Sequence, residues 1–355
     1  MIKHNAILEV SLKNLAYNYK KLSSITNQSI CAATIKADAY GIGVIKAFET
    51  LYKNKCRHFF VATTEEALEI RKKKSLANVY VLNGLEGNEL STFNTYNIIP
   101  IINDKDEYKL VNQNIKKYKK LKFGVHIDTG LNRLGIDVND FLKLTSDQNK
   151  IHILLSHLSS ADEGKNNYNI FQNKKFKAAI NLKIKAKFNS LSNSMGIILG
   201  DNFHHDLVRP GISLYGGHYN TKMKKIIKPV ISLKGKVLQI KTISKNEFVG
   251  YNQTYKTNKK IRVAVLGIGY ADGISRVLSN KGNVYFKKNT FKIIGRVSMD
   301  SITVDISKNS KSIKVGDYME IINHLNGIDK IASQCNTICH EILTSISKRV
   351  KRVYL

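Results

Sequence analysis

Short apolar segments alternate with longer polar segments of helical spacing through the first two thirds of this chain. Eight apolar segments of strand length occupy residues 30–35, 58–62, 79–82, 98–102, 121–127, 151–155, 189–191 and 207–208. Residues 64–70 represent the intervening segments, because a capping threonine and an acidic first turn precede apolar residues at helical spacing. Eight strand–helix units in roughly 220 residues predict an α/β fold of the (β/α)8, or TIM, barrel type over residues 1–228.

The pattern changes after residue 228, where strand-like segments follow one another without long helices between them. These segments occupy residues 230–243, 261–266, 283–286, 291–294, 301–306 and 318–322. Such a succession predicts a C-terminal all-β domain over residues 229–355. A further strand is predicted at residues 6–10, and a final helix at residues 338–347.

Charge limits the class of partner that this chain is expected to bind. The chain has 57 lysine and arginine residues against 27 aspartate and glutamate residues, which gives a net charge of +30. A balance this basic makes nucleic-acid or anionic-surface binding a competing interpretation. The lysines are scattered rather than gathered in one arm, and no recognition motif accompanies them. We therefore interpret the charge as solvated surface and expect no specific nucleic-acid partner.

Compartment and metal content are constrained by what the sequence lacks. No run of ~18 apolar residues is present, and the N-terminus lacks a signal-peptide pattern, so we expect a cytoplasmic protein without membrane association. Four cysteines are too few for a disulfide framework. Cys335 and Cys339 lie beside His340, but no second pair of ligands has suitable spacing, and we expect no metal site.

Chemically capable side chains follow five of the eight predicted strands, at the end where a barrel places its active site. They are Lys36 after the first strand, Arg133 after the fifth, His157 after the sixth, Asn193 and Ser194 after the seventh, and Arg209, Gly211 and Ile212 after the eighth. Taken alone, Lys36 is most simply interpreted as an ordinary surface lysine. If it were partly desolvated, its amine would instead be a nucleophile for an aldehyde. Glycine and serine at strand ends offer N–H groups and a hydroxyl to a phosphate. Together these groups suggest pyridoxal phosphate held as a Schiff base.

Nine blocks of the sequence carry a resemblance to a known family. They are residues 35–41, 128–135, 156–157, 193–194, 209–216, 249–251, 269–273, 295–300 and 349–354. In this order they resemble the blocks of bacterial alanine racemases, which are fold-type III pyridoxal-phosphate enzymes, over essentially the whole chain. Each block alone is weak to moderate support, and all of them in family order are strong support.

The resemblance implies a role for each matching residue. Lys36 would carry the cofactor and act as one catalytic base, and Tyr251 from a second subunit would act as the other. The implied cofactor-binding residues are Lys36, Tyr40, His157, Asn193, Ser194, Arg209, Gly211, Ile212 and Tyr354. The implied substrate-binding residues are Arg133, Met299 and Tyr270. The resemblance also implies a homodimer with shared active sites that interconverts L-alanine and D-alanine and supplies D-alanine for peptidoglycan synthesis.

Racemisation itself explains why two bases are needed. A proton must leave one face of the α-carbon and another must arrive at the opposite face, so one acid–base group is required on each side. Lysine and tyrosine have reference pKa values near ~10, and each must be lowered toward the working pH to act as a base. A cationic neighbour such as Arg133 lowers the pKa of both groups.

Three positions depart from the family pattern. His126 stands where many members have a carbamylated lysine that pairs with the arginine corresponding to Arg133. Ile42 replaces a common histidine, and Asn252 replaces a glycine that usually follows the second catalytic tyrosine. These departures affect the expected rate and anion dependence more than the type of reaction.

Two other functions are compatible with the same set of residues. A racemase of another small amino acid such as serine differs only in pocket shape, and a hydroxymethyl group is discriminated from a methyl group only modestly by binding energy. A non-catalytic pyridoxal-phosphate-binding protein would need only one barrel, and the β domain with Tyr251 counts against it. A dinucleotide site at residues 267–273 is rejected, because the glycine spacing is one residue too long and no helix follows.

Overall fold

The structure is a computed structural model that describes residues 4–26, 28–144, 151–181 and 186–355. Eleven strands precede residue 228 in the described ranges. They are β1 (Ala6–Val10), β2 (Ile30–Cys31), β3 (Ala33–Thr34), β4 (His58–Val61), β5 (Asn78–Val81), β6 (Ile98–Ile102), β7 (Phe123–Asp128), β8 (Ile136–Asp137), β9 (Ile151–Leu155), β10 (Phe188–Ser190) and β11 (Leu207–Val208).

Apart from β8, which within the described ranges pairs only with β7, the strands from β2 to β11 form a closed parallel barrel, in which the Asp206 and Arg209 amides join the last strand to the segment of β10 by donating to Asn189 O and Ser192 O. Hydrogen bonding runs in the order β10-β9-β7-β6-β5-β4-β3, and β11 pairs in parallel with β2. The β2 and β3 strands continue one another across Ala32, whose amide donates to Val208 O at 2.9 Å, so the first and last barrel strands meet. The TIM-barrel prediction is confirmed, and each of the eight apolar segments overlaps a barrel strand.

Eleven helices are assigned in the described ranges, and most of them connect barrel strands. They are α1 (Leu12–Ile25), α2 (Lys36–Tyr40), α3 (Val44–Lys53), α4 (Thr64–Arg71), α5 (Leu90–Tyr96), α6 (Lys105–Asn114), α7 (Val138–Leu144), α8 (Asn167–Ile180), α9 (Thr221–Ile226), α10 (Ile328–Gln334) and α11 (Cys339–Thr344). Sequence spacing predicted α4 correctly, but its capping residue is Thr63 rather than Thr64, because the Thr63 hydroxyl accepts from the Glu66 amide at 3.4 Å.

Aromatic stacking fills the barrel interior beneath the strand ends. The rings of Phe60 and Tyr80 stack with centroids 4.4 Å apart, and both side chains are fully buried. The guanidinium of Arg209 lies 5.8 Å above the Phe60 ring. The apolar interior therefore ends at a charged layer, which is where the strand-end side chains of the candidate site begin.

Seven of the nine C-terminal strands in the described part of the chain form a mixed sheet that is mainly antiparallel, and the other two, at residues 248–249 and 255–256, pair only with each other. The nine strands are β12 (Ile231–Ile243), β13 (Phe248–Val249), β14 (Tyr255–Lys256), β15 (Ile261–Leu266), β16 (Asn283–Phe286), β17 (Asn289–Ile294), β18 (Ile302–Asp305), β19 (Tyr318–Ile322) and β20 (Lys351–Tyr354). The sheet order is β15-β18-β17-β16-β19-β12-β1-β20, and β15 also pairs with β12, which closes a barrel. The predicted C-terminal β domain is confirmed.

The N-terminal strand β1 belongs to this second sheet. It pairs antiparallel with β12 and parallel with β20, so that Leu8 lies opposite Leu233 and Arg352. The first strand of the chain is therefore an integral strand of the C-terminal sheet, although it precedes the barrel in the sequence. The boundary between residues 228 and 229 stays a prediction. No helix within the described ranges is long and apolar enough to cross a membrane.

Candidate active site

A left-handed turn follows Lys36 at the end of the first barrel strand. The four residues from Ala37 to Tyr40 have φ values of 53°, 53°, 53° and 55°, and Gly41 continues the turn at 82°. Each non-glycine residue in this conformation costs about 1–2 kcal/mol. Several such residues in succession persist only where the surrounding structure holds them, and strain of this kind is concentrated at functional sites.

Side chains from the C-terminal strand hold the far end of this turn. Arg352 donates from Nε and Nη2 to Gly41 O at 3.1 and 2.8 Å, and the Tyr354 hydroxyl donates to Ile42 O at 3.0 Å. Ile42, which replaces the histidine common in the family, is fully buried. Tyr354 was predicted to bind the cofactor phosphate. The structure places its hydroxyl against the turn that leads from Lys36, and phosphate binding stays a prediction.

The amine of Lys36 lies in an environment that favours its neutral form. Its side chain is half-buried, and burial lowers the pKa of the ammonium group most, with the nearby Arg133 guanidinium lowering it further. The carboxylate of Glu66 opposes this by raising the pKa. A lysine with a lowered pKa is a nucleophile and a base near neutral pH. The amine of Lys36 is thus partly desolvated, which an ordinary surface lysine would not be.

Hydroxyl and amide groups form a small cradle beside Lys36. The Ser194 hydroxyl accepts from the amides of Gly211 and Ser213 at 2.9 and 3.3 Å. A Cβ on Gly211 would lie 2.3 Å from Tyr40 Oη, so a glycine is needed for this hydroxyl to reach the cradle. Ile212 begins the 3-10 turn Ile212–Tyr215 that the cradle faces. These groups fit the phosphate of pyridoxal phosphate, because the Gly211 and Ser213 amides hold Ser194 in place and the Ser194 and Tyr40 hydroxyls supply donors at a strand end.

Packing holds the Tyr40 ring against the cradle. Its ring stacks on the Tyr215 ring with centroids 4.6 Å apart and lies 5.6 Å from the His340 ring. Burial raises the pKa of the Tyr40 phenol, so the hydroxyl keeps its proton and remains a donor. The Tyr215 hydroxyl donates to Thr34 O at 2.9 Å, which ties this stack to the first barrel strand.

Arg209 is a buried cation at the end of the last barrel strand. Its Nη2 donates to Ser156 O at 2.5 Å and to Leu191 O at 3.4 Å, and its Nη1 donates to the Ser190 hydroxyl. Burial lowers the pKa of the guanidinium to about 9, so the group stays charged at neutral pH. The carbonyl and hydroxyl partners compensate the desolvation of this charge and fix its orientation.

His157 is held as a neutral ring whose Nε2 is an acceptor. The side-chain carbonyl of Asn193 accepts from the amides of Met195 and Gly196 at 3.1 and 3.0 Å, which leaves its NH2 to face His157 Nε2 at 3.5 Å. The proton of the neutral imidazole therefore lies on Nδ1. Burial first, and then Arg209, lowers the pKa of His157 well below its usual range. Asn193 thus orients His157 and the turn beyond Ser194.

His126 is a second neutral imidazole near the same cations. Asn103 donates to Leu82 O and Ile101 O at 3.0 Å each, so its carbonyl oxygen accepts from His126 Nδ1 at 3.0 Å. Burial first, and then Arg209, lowers the pKa of His126 to about 4. A neutral ring at this position supplies no negative charge to Arg133. Arg133 itself makes no hydrogen bond or ion pair with another described residue, and its influence on Lys36 places it toward the site.

Tyr251 lies in the C-terminal domain on an exposed turn. Its side chain is 68% exposed, and it begins the 3-10 turn Tyr251–Gln253 after strand β13. Asn252, which replaces the usual family glycine, has a φ of 57°. Asparagine is one of the few residues that adopts the left-handed region readily. The departure at Asn252 therefore preserves the backbone conformation that a glycine would take.

Tyr270 and Met299 lie on two loops that are joined through their backbones. The Tyr270 amide donates to Ser298 O at 2.9 Å, and the Ala271 amide donates to Met299 O at 3.0 Å. A Cβ on Gly269 would lie 2.3–2.4 Å from the Ser298 and Met299 oxygens, so the loops can meet only at a glycine. The Met299 amide donates to no acceptor among the described residues, and its side chain is 53% exposed.

The predicted site residues therefore fall into two groups. The barrel and the C-terminal strand bring together Lys36, Tyr40, Arg133, His157, Asn193, Ser194, Arg209, Gly211, Ile212 and Tyr354. No hydrogen bond in the described part of the chain joins Tyr251, Tyr270 or Met299 to this group. Sequence reasoning missed Glu66 and Arg352, which hold the turn after Lys36. Glu66 was visible only as part of an acidic first helical turn, and Arg352 only as one of several basic residues in the C-terminal block.

A half-buried lysine of lowered pKa at a barrel strand end, with a hydroxyl and amide cradle beside it, is the arrangement that a pyridoxal-phosphate enzyme requires. Comparison with known proteins specifies the family. The family model "Alanine racemase, N-terminal domain" matches residues 10–219, and "Alanine racemase, C-terminal domain" matches residues 230–354. The chain belongs to the alanine racemase family, which consists of pyridoxal-phosphate-dependent isomerases.

Individual relatives cover nearly the whole chain. The alanine racemases of Rickettsia canadensis and Rickettsia akari are 37% and 35% identical to it, and each match covers 98% of this chain and 98% of the relative. The crystal structure of alanine racemase from Bartonella henselae with covalently bound pyridoxal phosphate is similar with a TM-score of 0.94 at 36% identity. The match covers 99% of this chain and 100% of the Bartonella henselae chain.

Proposed function

We propose that this chain interconverts L-alanine and D-alanine with pyridoxal phosphate, and that Lys36 and Tyr251 act as bases on opposite faces of the substrate. The observation that carries the proposal is the lowered pKa of the half-buried Lys36 amine beside the Ser194 and Gly211 cradle. When bound, pyridoxal phosphate withdraws electrons from the α-carbon of an amino acid and makes its proton removable. The protein's task is to place one proton acceptor and one proton donor around that carbon.

Residues of the barrel supply one side of this arrangement. Lys36 accepts or returns a proton at its Nζ, and the neighbouring Arg133 guanidinium favours the neutral amine. Arg133 is also free to bind the substrate carboxylate, since it has no partner among the described residues. Tyr40, Ser194, Gly211 and Ile212 would hold the cofactor phosphate, with the Tyr40 and Ser194 hydroxyls as donors, since the Gly211 amide already donates to Ser194 Oγ.

Arg209 and His157 complete the cofactor-binding side. Arg209 stays charged and is held by three oxygen acceptors, so it is a poor proton donor to any group that it faces. Arg209 would face the pyridine nitrogen of bound pyridoxal phosphate and, as a poor proton donor, would leave that nitrogen unprotonated and so weaken electron withdrawal by the ring. His157 supports this layer as a neutral ring whose orientation is fixed by Asn193.

The opposite side would come from a second copy of the chain, in a homodimer with shared active sites. Tyr251, Tyr270 and Met299 are large and exposed, and the Met299 amide is an unused donor in the described structure. Other exposed apolar side chains, including Phe248 and Val277, belong to the same domain. Exposed apolar groups of this size favour burial against a partner. In the dimer, Tyr251 of the second subunit would reach the α-carbon, and Tyr270 would narrow the entrance.

Two further parts of the proposal concern context. We expect the protein to act in the cytoplasm and its D-alanine to serve peptidoglycan synthesis. We also expect substrate recognition without a specific nucleic-acid partner, and the scattered distribution of charge supports this. Unchanged activity in moderate salt, together with no retention on heparin at physiological salt, would be the expected outcome.

Serine is the competing substrate, and kinetics on both amino acids separate the two activities. The ratio of kcat/KM for L-alanine to that for L-serine measures the discrimination, which a pocket for a methyl group holds to about 10- to 200-fold. A ratio below one assigns the protein to serine. A non-catalytic binding protein would instead take up pyridoxal phosphate on Lys36 without racemising either amino acid.

The central experiment combines trapping with isotope exchange. Borohydride reduction followed by peptide mass analysis should place pyridoxal phosphate on Lys36, and Lys36→Ala should lose the visible absorbance of the bound cofactor. Tyr251→Phe should lose about 10²- to 10⁴-fold in racemisation, the usual contribution of a general base. In D₂O the same variant should still exchange the α-hydrogen of one enantiomer. Equal exchange of both enantiomers, or of neither, contradicts the assignment of one base to each face.

A further inference from the structure

The carboxylate of Glu66 makes two hydrogen bonds at the base of the turn that carries Lys36. Its Oε1 accepts from the Ala37 amide at 2.6 Å, and its Oε2 accepts from the Ala62 amide at 2.7 Å. Ala37 immediately follows Lys36, and Ala62 immediately follows strand β4. One side chain therefore bridges the ends of two adjacent barrel strands through charge-assisted hydrogen bonds.

The bond to Ala37 acts on the peptide that sets the direction of Lys36. The N–H of Ala37 belongs to the peptide unit between Lys36 and Ala37, so fixing it restricts both ψ of Lys36 and φ of Ala37. That φ is 53°, the first of the four left-handed values. Ile35 is fixed from the other direction, because its amide donates to Phe60 O at 2.9 Å. Only Ile35 and Lys36 thus lie between two fixed peptide units.

The position of Glu66 is itself fixed by helix α4. Thr63 accepts from the Glu66 amide at 3.4 Å as the helix cap, and Glu66 lies in the first helical turn. A residue at this position points its side chain back toward the N-terminal end of the helix. The turn after Lys36 lies at that end. The strand-to-helix connection therefore aims the carboxylate at the neighbouring strand end.

We propose that Glu66 is a positioning residue for the racemase, which fixes the peptide after Lys36 and thereby directs the lysine amine toward the bound cofactor. This inference rests on the proposed function of Lys36. Glu66 also acts on the charge of the site, because its carboxylate raises the pKa of Lys36 against the effects of burial and Arg133. Glu66 does not contact the reacting atoms, so its effect is exerted through Lys36.

The test compares three substitutions at Glu66 with a control on the same helix. Glu66→Gln keeps the shape but has only one acceptor oxygen and no charge, Glu66→Ala removes both acceptors, and Glu66→Asp keeps the charge on a shorter side chain. Glu69→Gln is the matched control, since Glu69 is exposed one helical turn further along α4. Circular dichroism and thermal unfolding confirm that each variant folds.

The primary measurement is the rate at which cofactor-free protein takes up pyridoxal phosphate on Lys36, followed by absorbance as a function of pH. Glu66→Gln should slow this reaction about 10- to 100-fold, the loss typical of a group misplaced by about 1 Å. Its pH midpoint should move downward, because the charge that raises the pKa of Lys36 has been removed. Glu66→Asp should retain the midpoint and recover part of the rate, and Glu69→Gln should match the original protein.

Steady-state kinetics give a second measurement that a purely structural effect would not reproduce. Glu66→Gln should lower kcat at least about tenfold with little change in the KM for alanine, because the substrate carboxylate is bound elsewhere. A Glu66→Gln protein with unchanged uptake rate and unchanged pH midpoint would overturn the inference, even if its thermal stability falls. Failure of borohydride to trap the cofactor on Lys36 in the original protein would overturn the proposed function instead. The two failures are therefore distinguishable.

Discussion

The two proposed bases lie on turns that resemble each other in backbone and differ in support. Lys36 and Tyr251 are each followed by left-handed residues, four after Lys36 and two after Tyr251. The turn after Lys36 is held by Glu66, Arg352 and Tyr354, which lie on other elements of the same chain. No hydrogen bond from the described residues holds the Tyr251 side chain, which is 68% exposed.

This difference shows which half of the site one chain can build alone. The Lys36 half is packed and electrostatically tuned within a single fold, as expected for a group whose pKa depends on burial. The Tyr251 half has a formed backbone and an exposed side chain, as expected for a group that is buried only by a partner. This difference between the two halves of the site can be tested by removing one base at a time, by disturbing the packing of the cradle, and by changing the pH.

The largest effect is expected from combining two inactive variants. Lys36→Ala and Tyr251→Phe should each be nearly inactive alone, but a mixed dimer has one site in which both bases are intact. Random pairing makes half of the dimers mixed with one good site of two, so co-expression should recover about a quarter of the original activity. Differently tagged chains purified in tandem provide the mixed dimer. Activity that stays at the level of the single variants would show that both bases come from one chain.

The next largest effect is expected at the cradle. Gly211→Ala places a Cβ 2.3 Å from Tyr40 Oη, and the Tyr40 ring is stacked on Tyr215 and cannot easily withdraw. We expect the affinity for pyridoxal phosphate to fall by about 10- to 100-fold through displacement of the cradle. Titration of cofactor-free protein measures it. Gly87→Ala is the control, because its Cβ meets nothing closer than Leu110 at 3.8 Å. Equal affinities for the two variants would refute the cradle.

Acid should destabilise the barrel that carries Lys36 through its buried histidines. Burial lowers the pKa of His58, His126 and His152 to about 4 each in the folded protein, against about 6.5 when unfolded. The unfolded state then binds more protons, so stability is fully present above pH ~6.5 and is lost as the pH falls toward ~4. The difference of ~2.5 pKa units corresponds to an upper limit of about 3 kcal/mol for each group.

Urea unfolding at neutral pH and at acidic pH measures this loss. His126→Leu removes one titrating ring and should lose less free energy of unfolding than the original protein over the same pH interval. His4 is the matched position for a control, since it is exposed near the N-terminus. His4→Leu should therefore leave the pH dependence as it was. An identical dependence in His126→Leu would show that His126 does not couple folding to pH.

The smallest effect is expected at the turn that carries Tyr251. Asn252 has a φ of 57°, so Asn252→Val should destabilise this turn by about 1–2 kcal/mol and lower kcat through misplacement of the tyrosine. Asn252→Gly should leave both the stability and the rate close to the original, because glycine adopts the same conformation without strain. Thermal unfolding and kcat, measured on both variants, test whether the left-handed conformation at residue 252 affects stability and rate. A valine variant as active as the glycine variant would show that the conformation of this turn is unimportant.

Much of the fold could be predicted from the sequence because its signals are local. Apolar runs bounded by capping and turn residues identified all eight barrel strands, including the short polar strand at Phe188–Ser190. Strand β1 was also predicted, but its partners were not, since pairing with β12 and β20 joins residues more than 200 positions apart. The cap of α4 was displaced by one residue, because Thr63 and Thr64 carry the same local signal.

The sequence identified several site residues but not how their side chains are oriented. Lys36, Ser194 and Arg209 were identified because they follow strands at a known end of a barrel. The orientation of His126 and His157 could not be predicted, because it depends on the amides of Asn103 and Asn193. Glu66 was missed for a related reason. Its partner amides belong to Ala37 and Ala62, and nothing in the sequence around an alanine indicates an acceptor for its backbone.

The sequence by itself determined the positions of the strands along the chain, the strand ends that carry the candidate catalytic and binding side chains, and the family that those side chains resemble. These properties follow from residue type and spacing, which are local. Only the tertiary structure decided that the turn after Lys36 is left-handed, that Glu66 and Arg352 hold it, and that Tyr251 remains exposed. Backbone strain, burial and the pKa of a buried amine depend on groups that are distant in the chain. They therefore arise only when the two sheets are assembled.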